Sequence, residues 1–85
     1  MYMHQQLMDG RFTKNEAVHI LTALYGAKIE FHETKIRSTE MNEEDIKHSE
    51  KKIKQLQQTL AELKTKIHSN QKEVLDIHAA IDVAL

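Results

Sequence analysis

Residues 43–84 read EEDIKHSEKKIKQLQQTLAELKTKIHSNQKEVLDIHAAIDVA, and the spacing of their apolar side chains decides the fold expected of the chain. Ile46, Ile53, Leu60, Ile67, Val74 and Ile81 stand seven residues apart, and Ser49, Leu56, Leu63, Asn70, Ile77 and Ala84 follow them by three. Ten of these twelve positions are apolar, so a heptad seam runs from one end of the stretch to the other. Outside the seam, Glu43 and Lys47, Glu50 and Lys54, and Glu62 and Lys66 are spaced i,i+4 in the order that supports a solvated helix face. The pattern predicts a helix over residues 43–84, about 63 Å long at 1.5 Å per residue.

Upstream, residues 37–45 lose the apolar periodicity. Asn42 can cap a helix whose first turn carries Glu43, Glu44 and Asp45, where the helix dipole favours negative charge. A turn over 38–42 follows; one unbroken helix is the alternative, because Glu40 and Met41 are good helix formers. Thr13 and Glu16 form a capping-box pattern that starts a first helix over 14–37. Glu33 and Arg37 repeat the i,i+4 device on it. Asp9-Gly10 sets off a head over 1–12, whose run from Tyr2 to Met8 is long enough for two helical turns at most.

The first helix carries two apolar stripes. Ala17, Ile20, Leu24, Ala27 and Phe31 form one; Val18, Leu21, Tyr25, Ile29 and Ile36 form the other. Their centres lie roughly 140° apart at 100° per residue, so two neighbours are expected. The expected fold is all-α: a short head over 1–12 and a long antiparallel, coiled-coil-like helical hairpin over 13–85, assembling as a helical-bundle homo-oligomer.

The argument for assembly is one of length. Helix one, about 36 Å long, covers helix two only as far as about Lys66. The layers Ile67/Asn70, Val74/Ile77 and Ile81/Ala84 are then without a partner in the same hairpin, and Leu75, Ala79, Val83 and Leu85 widen that surface. Val18, Leu21, Tyr25, Ile29 and Ile36 on helix one, with Ile67, Val74, Ile77 and Ile81 on helix two, are therefore the expected oligomer interface. A parallel pairing of two second helices would oppose Asp45 to Glu50 of the other copy and gain no Glu–Lys bridge. An antiparallel homodimer fits better. Asn70 either sets register against a polar partner or sits at a wet end.

Composition narrows the chemistry. The chain has 85 residues, 12 Lys+Arg against 13 Asp+Glu, no Cys, no Pro and two Gly. No thiolate site or disulfide is available, no phosphate-binding glycine loop exists, and the balanced charge does not single out nucleic acid. No apolar run approaches a membrane span, and the polar start, Met1-Tyr2-Met3-His4-Gln5-Gln6, does not read as a signal peptide. A cytoplasmic location is expected.

Six histidines are the one oddity. His32-Glu33 opens like a zinc-protease motif, but Ile36 stands where the second ligand belongs. Glu16-x-x-His19 and Asp45-x-x-His48 have the carboxylate–histidine spacing of di-iron bundles, yet neither His lies in an apolar stripe. Asp9-Gly10 lacks the upstream oxygen ligands of a calcium loop. No catalytic, metal or cofactor residue is assigned. The expected function is a non-catalytic interaction or scaffolding protein, with self as first partner and an unknown protein as a further one. The alternative is a small regulator, of phage or mobile-element type, that binds a protein or nucleic acid through Lys47, Lys51, Lys52 and Lys54 on helix two. A metal-binding bundle is a distant third.

Overall fold

A computed structural model describes residues 1–38 and 42–85. Four elements follow in order: strand β1 (Tyr2–Thr13), helix α1 (Lys14–Ile36), helix α2 (Glu43–Ser69) and strand β2 (Val74–Ala84). The fold is α+β, not all-α. The two strands, from opposite ends of the chain, pair antiparallel into a two-stranded ribbon, with Tyr2 opposite Ala84 and Thr13 opposite Val74.

The caps act where the sequence places them. The Thr13 hydroxyl accepts the Glu16 amide at 3.1 Å, and the Glu16 carboxylate accepts the Thr13 amide at 2.9 Å. Thr13 is itself extended, so one residue ends the strand and starts the helix. Asn42 caps α2 through the Asp45 amide at 2.8 Å. Glu33 and Arg37 pair at 3.8 Å on α1. Of the expected turn over 38–42, residues 39–41 lie outside the described residues.

Helix two stops fifteen residues short of the expected end, at Ser69 instead of Ala84. Asn70 takes an extended backbone, φ −72° and ψ 140°, and its side-chain oxygen accepts the Lys72 amide at 2.8 Å. That Asx-turn diverts the chain from the helix, and the polar run Asn70-Gln71-Lys72-Glu73 offers no apolar contact to hold another turn. Asn70 thus terminates the helix and plays no part in a seam. The Lys14 ammonium donates to the Asn70 carbonyl and ties the start of α1 to the end of α2.

Val74–Ala84 forms a strand because its pattern also has period two. Leu75, Ile77, Ala79, Ile81 and Val83 alternate with Asp76, His78, Ala80 and Asp82. The expected head is the matching strand. Register brings Arg11 opposite Asp76, Asp9 opposite His78 and His4 opposite Asp82, and all three pairs close: Arg11 to Asp76 at 3.7 Å, His78 to Asp9 at 2.6 Å, and His4 hydrogen-bonded to Asp82. Each such cross-strand pair contributes about 0.2–1 kcal/mol, and a register slip would lose all of them.

The helices run antiparallel. Leu21 shares a groove with Leu63 and Ile67, and Tyr25 and Lys28 share one with Lys52, Gln55 and Thr59. On α2 every seam residue from Ile46 to Ile67 is buried or half-buried. On α1 the half-buried stripe is Val18, Leu21, Tyr25, Ile29 and Ile36, joined by His32. The stripe expected to face away from helix two is therefore the one that packs against it. Leu24, Ala27 and Phe31, from the other stripe, are exposed.

Laid end to end, α2 and the ribbon would each add about 40 Å. The longest dimension is only 46 Å, so the ribbon turns aside at Thr13 and at residues 70–73. The core sits at that corner, where Met8, Ala17 and Ile67 are the buried apolar side chains among the described residues. The overhang expected beyond Lys66 does not exist: Ile67 is core, and Val74, Ile77 and Ile81 belong to the ribbon.

Candidate interaction surfaces

The surfaces that function can use follow from this small core. The chain exposes 6812 Å², whereas a compact monomer of 9.9 kDa exposes about 5,200 Å². Its radius of gyration is 15.7 Å against about 12 Å for a compact domain of this length. Roughly 1,600 Å² is thus exposed beyond what a compact chain of this mass would show. Several large apolar side chains are among the exposed residues.

The ribbon carries one such surface. Strand alternation puts Leu75, Ile77, Ala79, Ile81 and Val83 on one face of β2. Their partners on β1 are Phe12, Gly10, Met8, Gln5 and Met3. A bulge between Gln6 and Met8 adds one residue, Leu7, and shifts the parity, so Met3 shares a face with Met8 despite an odd separation. This face bears no charge. The opposite face holds the Arg11–Asp76 ion pair and the two histidine–carboxylate contacts, all exposed. The apolar face is covered only near the corner: Met8 is buried and Phe12, Leu75, Ile77 and Ala79 are half-buried. Toward the far end Met3 is 43 % and Ile81 45 % exposed, with Val83 similar.

A second surface lies on α1, where Leu24 and Phe31 are exposed, Phe31 to 58 %. The Lys35 ammonium lies 5.4 Å from the Phe31 ring centroid, within cation–π range. The His32 ring meets Phe31 edge-on at 5.5 Å.

A third feature lies away from the ribbon. Lys28 and Lys52 line one groove with Tyr25, Gln55 and Thr59. His32, half-buried, has an Nδ1 without a hydrogen-bond partner among the described residues. Its pKa is lowered from the ordinary 6.5, first by loss of solvation and then by the positive neighbours Lys35, Lys28, His48 and Lys52. The folded chain thus holds this ring neutral more strongly than the unfolded chain does. As pH falls through about 6.5 the unfolded chain takes up the proton first, so this contribution to stability is present above that pH and lost below it. His32→Leu is expected to lose less of its urea midpoint than wild type between about pH 7.5 and pH 5.5. Equal losses would show that His32 does not couple to folding.

The expected interface residues divide between these regions. Val18, Leu21, Tyr25, Ile29 and Ile36 lie in the helix pair and Ile67 in the core, while Val74, Ile77 and Ile81 lie on β2. Val74 projects from the ion-paired face; Ile77 and Ile81 share the apolar one. The two carboxylate–histidine pairs are placed apart, Glu16/His19 beside the ribbon and Asp45/His48 at the other end of the helix pair. Among the described residues no three His, Asp or Glu side chains are grouped to hold a metal ion. Among them, too, no helix is long and apolar enough to cross a membrane. The sequence reading missed the ribbon face altogether, although the period-two run Leu75 to Val83 was the signal for it.

Comparison with family models, with curated proteins and with solved structures gives no match for this chain.

Proposed function

We propose that the protein is a non-catalytic, cytoplasmic interaction module that works as a homo-oligomer, with a homodimer as its basic unit. The observation that carries this reading is the mismatch between core and surface. Three apolar side chains are buried among the described residues, while Met3, Leu7, Leu24, Phe31, Ile81 and Val83 stay exposed. Monomeric soluble chains rarely leave large apolar patches in water, and a standard interface covers about 800 Å² per partner. The excess of roughly 1,600 Å² is ample for one such interface.

Self-assembly makes stability depend on concentration. The thermal midpoint is expected to rise as total protein is raised over about two decades, because the folded state is then also the associated state. A midpoint independent of concentration would contradict the reading.

A second reading is supported by the cationic groove. Lys28, Lys35, Lys52, His32 and His48 gather on both helices, which favours an anionic partner over a neutral one. Binding of that kind weakens steeply with added salt, and a salt-independent affinity would remove it.

A further inference from the structure

We infer that the interface of the homodimer is the far half of the ribbon's apolar face, stacked on the same face of a second copy about a twofold axis. The inference rests on the self-assembly reading and specifies which surface performs it. Three observations carry it.

The first is the division of the ribbon. Its polar face is already paired across the strands, by the Arg11–Asp76 ion pair and by the contacts of His4 with Asp82 and of His78 with Asp9. The other face is uncharged along its whole length, from Phe12 and Leu75 to Met3 and Val83. A face free of charge meets its own copy without placing like charges together, which is what an isologous contact requires.

The second is the step in burial along that face. Near the corner Met8 is buried and Ile77 and Ala79 are half-buried; beyond the bulge Met3, Ile81 and Val83 are each more than two-fifths exposed. A two-stranded ribbon with one open apolar face is only marginally stable in water. A second ribbon at the usual sheet spacing of about 10 Å supplies the missing layer and adds no uncompensated charge.

The third is the shape of the β1 edge. The bulge at Leu7 interrupts its ladder and blunts it against strand addition. Edge pairing would also leave Met3, Ile81 and Val83 in water. Face-to-face stacking covers them.

Three lysine substitutions in the 85-residue chain test this, two on the stacked face and one on the opposite face, with association measured by light scattering and folding by circular dichroism. Ile81→Lys puts a charge on the stacked face, and so does Gln5→Lys, its cross-strand partner. Gln5 is polar and exposed, so that variant removes no apolar packing from the monomer. Ala80→Lys puts the same charge on the opposite face. Burying an unpaired charge in the interface should raise the dimer dissociation constant by about 100-fold or more for Ile81→Lys and Gln5→Lys, with Ala80→Lys changing it less than about threefold. If both face variants remain dimers and Leu24→Lys or Phe31→Lys dissociates them, the interface lies on α1; the ribbon inference fails and the self-assembly reading stands. If the wild-type chain is monomeric, both fail. Should Ile81→Lys lose helical signal, Gln5→Lys decides the matter alone.

Discussion

Replacing Ile67 by alanine is expected to lower the unfolding free energy by about 2–5 kcal/mol, the range for truncating a packed aliphatic side chain. Ile67 is one of the three buried apolar residues described and sits where the end of α2, the start of α1 and β2 converge. A chain of 85 residues has about 5–10 kcal/mol of stability in all, so the variant should melt far below wild type or be unfolded at room temperature. Leu60, mid-seam but only half-buried, should lose less when truncated the same way. Chemical denaturation of both variants reads the difference. Equal costs at the two positions would mean that the core runs evenly along the helices and is not concentrated at the corner.

The second large effect has a sign that the sequence alone would give wrongly. Ala17 lies in an apolar stripe of α1, and leucine there adds apolar area with a similar helix propensity. Ala17 is however wholly enclosed, at 0 % exposure, beside the strand-to-helix junction at Thr13. A larger side chain must displace its neighbours, so Ala17→Leu should cost about 1–3 kcal/mol. The same substitution at Ala27, on the open side of α1, should be nearly neutral. A stabilising Ala17→Leu would show that the ribbon does not close over this position.

How much of this was legible in the sequence differs from element to element. The capping box at Thr13 and the Asn42 cap are local, settled within four residues, and both form as their chemistry dictates. The seam from Ile46 to Ile67 is sustained over enough turns to define the inner face of α2. Beyond Ile67 the pattern is ambiguous, because Val74, Ile77 and Ile81 satisfy spacings of three and four while Leu75, Ile77, Ala79, Ile81 and Val83 satisfy a spacing of two. Two signals could have decided between them. One is the break at Asn70-Gln71-Lys72-Glu73; the other is the complementarity of Asp76, His78 and Asp82 to Arg11, Asp9 and His4.

The bulge hid one part of that complementarity, the pairing of His4 with Asp82. Read with a constant period of two, Met3 and Met8 fall on opposite faces, and the apolar side chains of the first strand are divided between its two sides. Only the extra residue at Leu7 brings Met3, Met8 and Phe12 into one row, and a bulge is fixed by pairing with a distant strand. The choice between the two stripes of α1 is of the same kind. Each is a competent helix face by itself, and the neighbours decide which is used.

Sedimentation equilibrium of the 85-residue chain at micromolar concentration tests the central claim most directly, that a core this small is completed by a second copy. The account predicts a mass of twice the 9.9 kDa of the chain, with dissociation on dilution. A single species at the mass of one chain across the whole concentration range would contradict it.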